Sequence, residues 1–213
     1  HSTHAKQVRG APPKCSAYFF LFILTSRRPI VLSEMVNIVF GGMLSDKDII
    51  RMCKKHSMIY PFEETSIRSK SAMDGGGKSI SYGPAGYGYD LRLGSEFKRT
   101  RSDLPPGTVI DPKNIDENNY ETFVSNDPVL IPPGDTLYGC TKEWLMLPDS
   151  IQALIVGKST YARVAVSQIA TPINAGFSGS VVLELTNTSM YPVKVYPHEG
   201  IALITFMRAP IWN

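Results

Sequence analysis

The 213-residue sequence is poor in the residues that build disulfide and metal frameworks. It has three cysteines, Cys15, Cys53 and Cys140, far apart and with no C-x-x-C pair. That spacing excludes a disulfide scaffold and a cysteine zinc site, and it fits a reducing, cytoplasmic setting. None of the four histidines (His1, His4, His56, His198) begins an H-x-E motif. A zinc-activated water of the H-x-E/P-C-x-x-C type is therefore excluded on ligand count. A Ser/His/Asp triad is equally unsupported: His198 is the only late histidine, it sits in a turn, and no nucleophile elbow precedes it. The apolar run Tyr18–Leu24 has seven residues. A bilayer span needs about 20, so no membrane partner is expected. Lys and Arg total 22 against 19 Asp and Glu, a net charge of +3. That surplus is too small to make nucleic acid the main partner, although it leaves room for a local cationic pocket.

What is present is an ordinary globular balance, 43% hydrophobic and 19% charged, at a length that suits one domain. Residues 1–42 read unlike the rest. His1–Lys14 is polar and basic, and Tyr18–Leu24 follows with no small-x-small cleavage site before Arg27-Arg28. Two readings stand: a poorly packed upstream extension, or a short targeting segment. Met35 and Met43 are both candidate starts. The folded domain is expected over 43–213.

From Ser45 the pattern becomes regular. Ser45-x-x-Asp48 resembles a capping box, and Ile49, Met52, Cys53 and His56 recur on one face of a helix that Pro61 should close. His56 reads as a packed or half-exposed residue, since no second ligand stands at metal spacing. Ser66–Lys78, with Gly75–Gly77, reads as a loop. Strand-like runs follow at Tyr87–Leu93, Thr108–Ile110, Pro128–Ile131, Thr136–Thr141, Ile151–Val156, Ser180–Asn187, Val193–Tyr196 and Ile201–Met207. Turn signals separate them, among them Pro105-Pro106-Gly107, Pro132-Pro133-Gly134, Asn174-Ala175-Gly176 and Pro197–Gly200. Many short strands without a βαβ rhythm predict a mainly β fold, a barrel or a sandwich.

Two features could carry chemistry. Gly157-Lys158-Ser159-Thr160 resembles the end of a phosphate loop, but Gln152 stands where that loop needs its first glycine. The segment is either a plain turn with a solvated lysine or a small set of amides, ammonium and hydroxyls facing phosphate. Glu184 places a carboxylate in the apolar run Val181–Leu185. By period-two alternation it shares a face with Val182, opposite Val181, Leu183 and Leu185. It is either a solvated strand-face residue or a proton shuttle beside apolar groups.

Several ordered segments resemble the dCTP deaminases. Met43–Ile50 and Met58–Phe62 resemble their N-terminal helix and the segment after it. Ser81-Tyr82-Gly83 through Gly86–Leu93 is similar to S-Y-G…Y-G-Y-D-x-R-L, and Gly157–Arg163 to G-[KR]-S-[ST]-x-A-R. Thr171-Pro172-Ile173, Gly176–Gly179, Val182–Leu185 and Pro192–Tyr196 follow in order. The resemblance implies a dUTPase-like distorted β-barrel with an N-terminal helix, a homotrimer with active sites between subunits, and conversion of dCTP to dUTP and ammonia without zinc. It implies Glu184 as the glutamate that takes a proton from water and returns one to N3 and the leaving amine. Ser159 and Arg163 fall on residues that hold the water and polar groups around the base. Lys158 and Thr160 fall on triphosphate contacts, and Tyr161 and Ala162 complete that motif. Ala170 falls where a backbone group meets the cytosine edge, Val182 and Leu183 flank the nucleotide, and Asn174 meets the sugar. Mg²⁺ is expected to come with the triphosphate, held by phosphate oxygens and water. dTTP is a candidate inhibitor.

Three positions depart from the family pattern. Asn174 stands where bifunctional deaminase–dUTPases and dUTPases carry an aspartate, and an amide cannot take a proton from water. Little dUTPase activity is therefore expected. Leu203 lies near a nucleotide-contacting glutamine of one branch. The family also runs on past the last strand with a Gly/Gln/Tyr-containing lid, whereas this sequence stops at Pro210–Asn213. Two rival functions remain at this stage: a bifunctional deaminase–dUTPase or plain dUTPase, and a non-catalytic trimeric nucleotide-binding regulator.

Overall fold

A computed structural model describes residues 42–67 and 78–208. The expected extension over 1–42 lies outside the described residues except for Gly42, which pairs with Arg208, and most of the Gly75–Gly77 loop and Pro210–Asn213 lie outside them too.

The described residues begin with β1 (Gly42–Met43) and helix α1 (Asp46–His56). The capping box is present in both directions: Ser45 accepts from the Asp48 amide, and Asp48 accepts from the Ser45 amide. Ile49 and Cys53 turn into the core, whereas His56 is exposed. The helix stops before Pro61, because Ser57 adopts φ 51° and its amide closes back on the Cys53 carbonyl.

Twelve further strands follow: β2 (Ile59–Tyr60), β3 (Gly83–Pro84), β4 (Tyr89–Thr100), β5 (Tyr120–Val124), β6 (Val129–Ile131), β7 (Thr136–Met146), β8 (Ile151–Gly157), β9 (Val166–Gln168), β10 (Thr171–Ile173), β11 (Ser178–Asn187), β12 (Val193–Val195) and β13 (Gly200–Arg208). A short helix α2 (Ser159–Ala162) joins β8 to β9. The main sheet runs β10-β8-β13-β4-β7-β11-β9, with β1, β2, β3 and β5 attached to it. β12 and β6 pair separately. The two ends of the main path, β9 and β10, are joined by Ile169-Ala170 alone, so the sheet must curl back on itself. Its inner face holds a continuous core that includes Tyr89, Leu91, Leu93, Leu145, Ile155, Leu183, Ile204 and Phe206.

The mainly β expectation holds, with differences that have physical causes. Thr108–Ile110 forms no strand: Val109 is 83% exposed, and no ladder among the described residues takes up its backbone. β4 runs on to Thr100 because its polar half, Glu96–Thr100, pairs with β5. Gly107, Gly134 and Gly176 take φ 85°, 78° and 76° in the turns marked by Pro and Gly.

One charged cluster is buried in this frame. Arg92 of β4 is 5% exposed and Glu143 of β7 is 0% exposed. Glu143 accepts from the Arg92 amide at 2.8 Å and from Arg92 Nε at 2.6 Å. The remaining guanidinium donors reach Glu63 (3.0 Å) and the Pro61 carbonyl (3.2 Å), and the ring of Tyr82 lies 4.8 Å from the guanidinium carbon. The segment after α1 is thereby fastened onto the barrel. Burial pushes the Glu143 carboxyl up, and the Arg92 donors hold it down. Glu143→Ala leaves the guanidinium without its main partner. The expected loss is about 3–5 kcal/mol, read from the denaturant midpoint, against less than about 1 kcal/mol for Lys54→Ala in the exposed Lys54–Glu64 pair.

Candidate active site

β8 ends at Gly157, and the chain turns at once into α2. Lys158 stays extended, its amide donating to the Ile201 carbonyl at 3.3 Å. The helix is held from below by Tyr161. This side chain is 4% exposed, and its hydroxyl accepts from the Tyr196 amide at 3.2 Å. Burial pushes the Tyr161 phenol up to about 12. With Tyr161 turned inward, Ser159, Thr160, Ala162 and Arg163 are exposed. The Arg163 amide donates to the Ser159 carbonyl at 3.1 Å, the i,i+4 relation that puts these two residues on one face.

Lys158 is not a solvated lysine. Its ammonium pairs with Asp90 of β4, and the two side chains are only 12% and 13% exposed. Asp90 belongs to the Tyr89-Asp90-Leu91-Arg92-Leu93 run, and no role for it was legible in the residues alone. A carboxylate between apolar neighbours in a strand was the available signal.

β11 carries the carboxylate. Its buried pattern alternates, with Val181, Leu183 and Leu185 inside and Val182 and Glu184 on the outer face. Val182 is 49% exposed and Glu184 is half-buried. Glu184 faces Tyr138 on β7, and Val182 faces Cys140. Leu183 is 0% exposed and packs in the core. Asn174 lies exposed in the turn after β10, where its carbonyl accepts from the Phe177 amide. Ala170 is exposed in the link between β9 and β10.

Two hollows flank these residues. One, of about 650 Å³, lies on the outer sheet face between Tyr120, Phe123, Tyr138, Cys140 and Val182. The other, of about 620 Å³, lies beside α2 and includes Thr160, Arg163, Tyr191 and Lys194. They share no lining residue. Among the described residues, neither the Glu184 carboxylate nor the side chains of Ser159 and Arg163 have a hydrogen-bond partner, and no three His, Cys, Asp or Glu side chains gather to hold a metal. No helix among the described residues is long and apolar enough to cross a membrane.

Residues 43–209 match the family model described as dCTP deaminase-like. The chain belongs to this family. Two relatives named dCTP deaminase, from Campylobacter curvus and Pelagibacter ubique, are each 39% identical over 167 residues. These alignments cover 78% of this chain and 84% and 85% of the respective relatives. The crystal structure of 2'-deoxycytidine 5'-triphosphate deaminase from Agrobacterium tumefaciens superimposes with a TM-score of 0.53 at 22% identity. It covers 79% of this chain and 48% of that one, and it supports the fold. In this member of the dCTP deaminase family, the family motif Gly157–Arg163 is the β8–α2 turn. The apolar strand with its carboxylate is β11.

The two described cysteines differ in placement. Cys53 is 7% exposed on the inner face of α1, and burial pushes its thiol up to about 12. Cys140 is partly exposed beside Val182, and its thiol is raised by burial and by Glu96. Iodoacetamide at pH 8 is expected to label Cys140 slowly and to leave Cys53 unlabelled until denaturant is added, as read by peptide mass mapping.

Proposed function

We propose that this chain hydrolyses dCTP to dUTP and ammonia without zinc, as a cytoplasmic enzyme supplying dUTP for thymidylate synthesis. The observation that carries the reading is Glu184. It is the one carboxylate on the outer face of β11, it lies within the family match, and no described residue engages it.

The chemistry follows from the groups present. Water must add to C4 of cytosine, N3 must be protonated, and the amine must leave as ammonia. A single carboxylate can carry one proton from water to N3 as C4–O forms, then take the second from the C4 hydroxyl of the adduct and give it to the amine as the C4–N bond breaks. The Ser159 hydroxyl can orient the water. Arg163 is always charged, so it can hold polar groups of the base but cannot act as the base catalyst. Thr160 and Lys158 suit the triphosphate, and Lys158 would then be shared between phosphate and Asp90. Val182 offers an apolar surface to the nucleotide, Ala170 a backbone group to the cytosine edge, and Asn174 a hydrogen bond to the sugar. An amide at position 174 cannot serve as a general base, which favours a reaction that stops at dUTP. Mg²⁺ is assigned to the phosphate oxygens, because the described residues offer no carboxylate cluster for it. dTTP, which shares the triphosphate and sugar, is proposed as an inhibitor.

The separation of the two hollows supports a site shared between subunits of a homotrimer. In that arrangement Glu184 of one copy meets Ser159 and Arg163 of another. This division accounts for Val182, two residues from Glu184 on the same strand face, and Arg163 lining different hollows within one chain.

The first test is product analysis with dCTP and Mg²⁺ in the presence of a zinc chelator. dUTP and ammonia are expected in equal amounts, and Glu184→Gln should lower turnover by at least about 10²–10⁴-fold. Retained activity in that variant would remove Glu184 from its role, dUMP would favour a diphosphatase step, and nucleotide binding without ammonia would favour the regulator reading. The second test mixes Glu184→Gln and Ser159→Ala subunits after mild dissociation. Partial recovery of activity is expected; no recovery, with mixed trimers shown by native mass spectrometry, would place both groups in one subunit.

A further inference from the structure

β11 pairs with β7 in two stretches of different register. Ser178, Gly179 and Ser180 face Met146, Leu145 and Trp144, whereas Val182, Leu183 and Glu184 face Cys140, Gly139 and Tyr138. Between the stretches β11 has one residue, Val181, and β7 has three, Thr141, Lys142 and Glu143. The extra residues make a bulge on β7. Because the excess is even, side-chain alternation survives, and Val182 and Glu184 stay on the outer face. A slip of one residue would turn Glu184 into the core.

A bulge leaves backbone groups without ladder partners, and buried ones must be satisfied another way. The Val181 amide is such a group. It donates to Thr141 Oγ1 at 2.9 Å, and the same hydroxyl donates to the Glu143 carbonyl at 2.8 Å. Thr141 is 3% exposed, so bulk water cannot replace it. The other side of the bulge is held by the Glu143 carboxylate on the Arg92 amide and Nε. β4 changes register at the same level, from Leu93 facing Thr141 to Phe97 facing Gly139. There Gly94 passes so close that a Cβ would lie 2.9 Å from the Cys140 carbonyl oxygen.

We propose that Thr141 is a positioning residue for the reaction: its hydroxyl closes the β7 bulge onto Val181 and so fixes the register that presents Glu184. The proposal rests on the reading of Glu184 as the proton-transfer group. Thr141 touches no substrate in this arrangement. Its loss should therefore change the chemical step more than nucleotide binding.

Two readouts on the full chain test it. In the unsubstituted protein, the Val181 amide should exchange at least about 100-fold more slowly than an unstructured amide, and Thr141→Val should speed it about 10-fold or more. Thr141→Val should also lower kcat for dCTP by about 10–100-fold with KM within about threefold, because a displacement of about 1 Å at the reacting group is enough for such a loss. Thr141→Ser keeps the hydroxyl and should restore both readouts. If Thr141→Val does not fold, Thr141→Cys, a weaker acceptor of similar size, takes its place. Free exchange of Val181 in the unsubstituted protein overturns the proposal. So does an unchanged kcat in Thr141→Val, or a loss in Thr141→Ser as large as in Thr141→Val. If the unsubstituted protein releases no ammonia, the deaminase reading fails by itself, and the exchange measurement still decides whether Thr141 holds the register.

Discussion

The buried contact between Arg92 and Glu143 is the interaction on which the arrangement of strands depends. Two ionised groups at 5% and 0% exposure are costly in an apolar interior unless nearly every donor and acceptor is used. Here the carboxylate takes a side-chain and a main-chain donor from the same residue. Any other alignment of β4 on β7 would strand one of those groups. Apolar residues could fill the same volume, but they would tolerate a neighbouring register, whereas a two-point charged contact does not. Arg92 also reaches Glu63 and the Pro61 carbonyl, so one side chain ties two strands and the segment after α1 to a single geometry.

Much of the fold was legible in the residues, for reasons that can be named. Ser45 and Asp48 announce a helix start because their side chains bond locally, within four residues. β11 was readable because its outer and inner faces differ in polarity along its length. The turns at Gly107, Gly134 and Gly176 were readable because positive φ favours glycine. Long-range pairing decided the rest. β5 (Tyr-Glu-Thr-Phe-Val) is half-exposed and its apolar residues do not alternate, so nothing local marks it as a strand face, and β9 and β10 are too short to show a period. The β-prone triplet Thr108–Ile110 misled for the converse reason: it has strand-like composition and no strand partner among the described residues.

The candidate site divides along the same line. The motif Gly157–Arg163 and the carboxylate Glu184 can be found in one dimension, since each lies within a short run. Where they lie relative to each other cannot, because it follows from the long-range order that places β8 and β11 in the curled sheet. Tyr161 shows the distinction within a single motif. Four residues apart, Ser159 and Arg163 are free to meet a ligand only because the tyrosine between them is buried and anchored to the Tyr196 amide. A motif of this kind combines an anchor with the groups it exposes, and its spacing is set by both.

Charge shows why whole-chain composition says little about an anionic ligand. A net charge of +3 is nearly neutral, yet Lys158, Arg163 and Lys194 all lie on or beside α2. One of the three is already paired: Lys158 meets Asp90 with both groups largely shielded from water. Shielding strengthens that pair relative to an exposed one and holds the ammonium beside the turn instead of letting it range through solvent. The same contact limits its pull on a distant anion, because the adjacent carboxylate cancels much of the field. Arg163 and Lys194 have no counterpart among the described residues, so the long-range attraction on this side of the molecule comes from them. Lys158 acts only at contact distance, where a ligand's own charge is close enough to compete with Asp90.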